Sequence, residues 1–246
     1  MTELSTIRDN FQDDLKDLFN MAHAFIATTE IGATKITETL RESPGASYAF
    51  AIPFATTDGV ALANINQLEH AKIFEIYFHN KGVIAELFYV QIIQRWYDFL
   101  NQVVEQIVKE HLVGTKRYPK ISMKIDLDFK TGNLLDDIPV LVRDGFDFTK
   151  GIDKTNKIES YLDIKLNNEL KKQIKKSIIV RNLIEHNKGI IRQRDIDLTG
   201  EGNIKLIDAS CQEAEIRVGQ KVEITIYELY RVKQHFYDAA QIFIPR

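Results

Sequence analysis

"VIAELFYVQIIQRWYDFLNQVVEQIVKEHL", residues 83 to 112, decides the fold class. Ile84, Phe88, Ile92, Trp96, Phe99, Val103 and Ile107 return at three- and four-residue steps, and Leu87, Ile93, Leu100 and Val104 widen that stripe. A helix apolar over so much of its circumference is touched on several sides, so the spacing predicts a central helix of a bundle. Gly114 and Pro119 stop it.

Upstream, Leu4, Ile7, Phe11, Leu15, Leu18, Ala22 and Phe25 predict an amphipathic helix over residues 3 to 27, with a second, weaker helical stretch in "TKITETLRE". From Ser43 to Asn66 the breakers Pro44, Gly45, Pro53 and Gly59 interrupt any period, which reads as a long loop or short strands. Downstream, "KISMKIDLDF" switches to period two and predicts a half-buried strand closed by a turn at Thr131-Gly132. Residues 133 to 160 read as loop with one short helix. The helical period returns from Asp163 to Asn187 through Leu166, Leu170, Ile174 and Ile178 and, after an offset, Leu183 and Ile184. Gly189 stands where a left-handed cap belongs. "NIKLI" and "AEIRVGQKVEI" suggest a small antiparallel pair around Gly219, and Thr225 with Glu228 makes a capping box for a last helix through Phe243. The resulting expectation is a mainly α fold, a helical bundle with a few short β-strands inserted. It forms one domain over residues 1–246, with an N-terminal helical extension and loop region (1–82) ahead of the core (83–246).

Composition narrows the function classes. With 246 residues, 44% of them hydrophobic, the chain can bury a sizeable core. A net charge of -3 gives no global sign of nucleic-acid affinity. Cys211 is the only cysteine, which excludes an internal disulfide and a Cys-based zinc site. The first twenty residues carry five acidic and two basic side chains without a signal-peptide core, and no run of 18 apolar residues occurs. These features predict a cytoplasmic protein without membrane association. His23, His70, His79, His111 and His235 show no metal-ligand spacing, and no glycine pattern suits a nucleotide, so neither metal nor cofactor is expected. Tyr97 and Trp96 read as core.

The average charge conceals a local one. Residues 165 to 194 hold nine Lys or Arg against Glu169 and Glu185, a net of +7, which leaves -10 for the rest of the chain. Lys171, Lys172, Lys175, Lys176, Lys188, Arg192 and Arg194 are therefore candidate RNA contacts. The four clustered lysines also follow an i,i+4 rhythm, which equally describes a solvated helix face.

Inside this basic stretch lies "RNLIEHNKGII", residues 181 to 191. On an ideal helix Arg181 and His186 lie about 140° apart, whereas Asn182 and His186 share a face. His186 falls in the last turn before Gly189, and flanking Ile178, Ile179, Val180, Ile190 and Ile191 supply apolar support.

An arginine, a polar residue, three further residues and a histidine at a bundle-helix end, preceded by "AELFYVQIIQRWYDFLNQVV", resemble the HEPN superfamily over residues 83 to 243. Arg181, Asn182 and His186 match the motif position by position, while Glu185 stands where similar sequences often carry an apolar residue. The resemblance implies a homodimer that brings two motifs together. It also implies a metal-independent endoribonuclease, acting as a toxin or antiphage effector with an antitoxin or defence-system partner. His186 would exchange the proton, Arg181 would grip the phosphate and Asn182 would orient either. Other members are non-catalytic modules binding RNA, a nucleotide or a protein.

Overall fold

The computed structural model describes residues 3–57, 59–122 and 134–245 and divides the chain into two compact units, one of residues 1–21 with 85–246 and one of residues 22–84. Among the described residues the fold is mainly helical, with two small antiparallel sheets.

The larger unit is built round α3 (Val83–Val113), which buries twelve side chains, most of them from the stripe and its flank. Trp96 sits at its centre with no exposed surface. Its ring meets Phe11 of α1 (Glu3–Glu42) at 5.8 Å, Phe99 at 5.4 Å, and Phe236 and Phe243 of α8 (Ile226–Phe243) at 5.1 and 6.0 Å. Three helices are thereby locked through one aromatic cluster. Polar ties align them: buried Arg8 donates to the Ile244 carbonyl at 2.7 Å and Gln12 to the Tyr237 carbonyl at 3.2 Å. α6 (Asn168–Asn187) joins through Ser177, whose carbonyl accepts from the Tyr89 hydroxyl at 3.4 Å.

Several sequence expectations need correction. The predicted N-terminal helix does not stop at residue 27 but runs as one element to Glu42, absorbing the weaker stretch. The stretch expected as loop over residues 133 to 160 holds two helices, α4 (Leu134–Asp147), with Pro139 inside it, and α5 (Gly151–Leu162). The helix expected from Asp163 begins only at Asn168, where the Asn167 side chain accepts from the Leu170 N–H; Asp163 itself is left-handed and ends α5. Most of the strand expected over residues 120 to 129, and its turn, lie outside the described residues.

The second small sheet pairs β3 (Ile204–Ile207) with β4 (Glu213–Ile216), and the chain reverses at residues 208–212 instead of at Gly219. There the Asp208 carboxylate accepts from the N–H groups of Ser210 and Gln212, an Asx-type turn. Gly219 belongs to the next reversal, which returns Lys221 to bridge Ile190. Thr225 caps α8 by accepting from the Glu228 N–H, but the Glu228 carboxylate does not reach back. It accepts from Ile207 of β3 at 2.8 Å and from Arg231 at 2.6 Å.

In the smaller unit, the strand alternative and not the long loop holds for the stretch expected over residues 43 to 66. β1 (Ser47–Thr56) and β2 (Gly59–Glu69) make a long hairpin that leads into α2 (His70–His79). Pro53 is compatible with β1 because each strand of a two-stranded sheet is an edge.

Between α6 and α8, burial together with the charges of Lys176 and Arg231 pushes His235 down to about 4 from 6.5, against a weaker opposing pull from Glu169. A histidine held neutral contributes stability that is present above its unfolded value and is lost as pH falls from about 6.5 towards 4. Between pH 7 and pH 4, urea denaturation of the wild type is expected to lose on the order of 2–3 kcal/mol more than that of His235→Gln, after allowing for partial exposure. Parallel losses would show that His235 titrates as it does in water.

Candidate functional site

The Arg/His stretch ends α6, and the way it ends fixes the geometry. Lys188 and Gly189 are both left-handed, with φ of 53° and 75°, and the Gly189 N–H returns to the Leu183 carbonyl at 2.9 Å. That double reversal closes the helix one residue after Asn187. The outgoing chain is then clamped: Ile191 donates to the Gln220 carbonyl at 3.0 Å, and Val222 donates to the Gly189 carbonyl at 2.8 Å. Buried Leu183 and Ile191 anchor the two sides of the turn.

On this support the Arg181 side chain is 20% exposed and the His186 side chain 70%. Arg181 Nη1 reaches the Glu185 carboxylate at 2.7 Å and donates to Asn182 Oδ1 at 3.2 Å. His186 Nε2 lies 3.9 Å from that same Glu185 oxygen. Glu185 therefore gathers Arg181 and His186 round one carboxylate, although they stand far apart on the helical wheel. Arg181 Nε is buried without a hydrogen-bond partner among the described residues, so the guanidinium is fastened through one of its nitrogens.

Tyr97, taken from the sequence as core, belongs to this neighbourhood. Burial pushes its phenol up to about 12; Arg181 opposes that rise and Glu185 adds to it. The hydroxyl thus stays protonated within electrostatic reach of both. Its far side is set by α5, where a Cβ added to Gly151 would collide with the Tyr97 hydroxyl and ring edge. Buried Lys154 of the same helix places Nζ over the Tyr97 ring at 5.4 Å from the centroid, and donates to Asp147 at 2.8 Å and Asn101 at 3.0 Å. Tyr97 sits on a different helix from the motif, 84 positions upstream of Arg181. Its only sequence signal is a polar-tipped aromatic beside Trp96.

The basic stretch is much less positive in space than in sequence. Lys171 pairs with Glu159, Lys172 with Glu201 at 3.2 Å, and Arg192 and Arg194 with Asp195 at 3.1 and 3.7 Å. All three acids lie outside residues 165 to 194, so a window along the chain could not count them. Lys176 corrects the solvated-face reading directly, being 5% exposed with Nζ donating to the Lys205 carbonyl. Lys188 is exposed and Lys175 half-buried.

Among the described residues no group of three or more His, Cys, Asp or Glu is placed to hold a metal ion, and no helix is long and apolar enough to cross a membrane. No family model, no curated protein and no solved structure matches the chain.

The Gly151 contact is measurable. Gly151→Ala is expected to cost about 1–3 kcal/mol in urea unfolding through overpacking against Tyr97. Tyr97→Phe removes the atom the new methyl meets first, so the double variant is expected to lose less than the two single losses added together. Strict additivity would show that the two residues do not meet.

Proposed function

We propose that the chain is a metal-independent endoribonuclease of HEPN type, with Arg181, Asn182 and His186 as its catalytic residues. The observation that carries this reading is the convergence of a half-buried guanidinium and an exposed imidazole on Glu185, at a helix end clamped by backbone hydrogen bonds. RNA brings its own nucleophile. The 2′-hydroxyl oxygen bonds to the adjacent phosphorus, its proton passes to His186, and the bond to the 5′-oxygen breaks as that oxygen takes up a proton. The products are a 2′,3′-cyclic phosphate and a 5′-hydroxyl end. Arg181 stabilises the charge that builds on the non-bridging oxygens, and Asn182 Oδ1 already accepts from its Nη1.

One histidine acts as base, and the leaving oxygen needs an acid. A second copy meeting the first near residues 181 to 192 supplies the second His186. The biological setting that suits a metal-free nuclease is a toxin or antiphage effector held in check by a partner protein.

A second reading is favoured by one specific contact. The Arg181–Glu185 pair occupies the cation that phosphate requires, as suits a non-catalytic module that binds RNA, a nucleotide or a protein.

Cleavage of single-stranded RNA in excess EDTA, with ends mapped by mass spectrometry, tests the first reading. Cyclic phosphate ends are expected, and His186→Ala and Arg181→Ala are each expected to lower the rate by about 10²–10³-fold while the fold remains intact. Activity that disappears on chelation and returns with Mg²⁺ sinks the metal-free mechanism. Glu185→Gln separates the readings. Faster cleavage identifies Glu185 as a restraint on a nuclease, whereas tighter RNA binding with no product identifies the module.

A further inference from the structure

A cavity of about 340 Å³ lies between the N-terminal half of α6 and the second small sheet. It is large enough for a small molecule, and no apolar side chain lines it. Glu169, Gln173 and Lys176 climb its α6 wall at four- and three-residue steps, so they share one face of the helix. Glu201, ahead of β3, with Lys205 of β3 and Glu213 of β4, supplies the other side.

Two groups in the α6 wall are short of partners. Lys176 is 5% exposed, and its ammonium carries three N–H groups. Among the described residues it makes one bond, to the Lys205 carbonyl at 3.1 Å, and no carboxylate pairs with it. One turn earlier the Gln173 amide donates to Glu169 at 2.6 Å, while Gln173 Oε1 is buried with no hydrogen-bond partner among the described residues. A buried cation without a counter-ion and a bare buried acceptor are both costly, and both call for a partner from outside. Residues three apart on a helix are neighbours, so that partner must accept from the one and donate to the other within a few ångströms.

Charge decides which partner it is. Water can complete the hydrogen bonds but leaves the ammonium without a counter-ion. A phosphate suits Lys176 but meets three glutamates round the same cavity. A bare cation suits the glutamates but meets Lys176, and among the described residues no carboxylate cluster is placed to hold a metal ion. Only a molecule carrying both signs answers both walls. Glu201 is already engaged by Lys172 at 3.2 Å and Glu213 by Arg231, whereas Glu169 is exposed and accepts from Gln173 alone among the described residues.

We propose that this cavity binds a small zwitterion of the α-amino acid class, its carboxylate on the Lys176 ammonium and its ammonium on Gln173 Oε1 and the Glu169 carboxylate. The two poles of an α-amino acid are separated by a single carbon, which suits a donor and an acceptor one helical turn apart. With no apolar wall to receive a hydrocarbon side chain, the ligand is one whose side chain is small or polar. The inference rests on no step of the ribonuclease reading.

Isothermal titration calorimetry of the full chain at pH 7 with glycine, L-serine and L-glutamine is the test, with acetate and methylamine as probes that carry one pole each. At least one amino acid is expected to bind saturably with a Kd of about 1 mM or tighter, and both single-pole probes at least tenfold more weakly. Lys176→Met keeps the bulk of the side chain and removes its charge, and is expected to weaken binding at least tenfold. Glu169→Gln, at an exposed position, is expected to weaken it in the same direction while circular dichroism stays unchanged. No saturable binding of any of the three amino acids overturns the proposal, as does acetate or methylamine binding as tightly as they do. A folded Lys176→Met that binds like the wild type also overturns it; should that variant not fold, an unchanged affinity in Glu169→Gln does so. RNA cleavage is not read, so failure here leaves the ribonuclease reading intact, and the converse holds.

Discussion

Everything positioned in the larger unit depends on the burial of Trp96. From within α3 its ring meets Phe11 of α1 and Phe236 and Phe243 of α8, and Phe11 stacks in turn on Phe99 at 4.5 Å. Aromatic clusters of this kind tolerate little rearrangement, because a flat ring displaced by even a fraction of an ångström loses contacts on both faces. α3 is rigid for that reason. It carries Tyr97 next to Trp96, so the helix held by the aromatic cluster also brings the phenol within electrostatic reach of Arg181.

Two kinds of electrostatics coexist in this unit. In the interior, Lys176 and Arg231 both act on Glu228 and His235, while Arg231 and Glu228 act on Lys176 in opposite senses. Burial pulls the Lys176 ammonium down and the Glu228 carboxyl up, while Arg231 partly restores the latter. That group ties β3 to α6 and α8 and gives the core its sensitivity to acid. At the surface, most of the cations flanking the Arg/His motif are paired with acids from other elements. Lys188, left-handed and exposed, stands two residues beyond His186.

What could be read along the chain was whatever repeats along it. The stripe of α3, the cap at Thr225 and the left-handed stop near Gly189 all have periodic or local causes, and each stands in the structure. The hairpin of β1 and β2 was legible only as one of two alternatives, because its strands are apolar on both faces and the period-two alternation that marks a half-buried strand is blurred by Ala49, Ala51 and Ala55 between the larger residues. The turn of the second hairpin was misplaced because an aspartate at residue 208, and not a glycine, makes it. At the candidate site, the motif and the oddity of Glu185 were visible in sequence. The pairing of Lys171 with Glu159, the burial of Lys176 and the approach of Tyr97 depend on which helices become neighbours, and no local pattern encodes that.

The Glu185 contact carries one more consequence. A phosphate arriving at Arg181 does not meet a bare cation; it must exchange with a carboxylate already in place. Raising the ionic strength weakens the incoming and the outgoing partner alike, because both are anions on the same guanidinium. On the nuclease reading proposed above, the site would act as an ion exchanger. Its binding of polyanions should vary with salt less steeply than its number of basic residues implies, and its preference should be set by shape and by the number of hydrogen bonds a ligand offers more than by total charge.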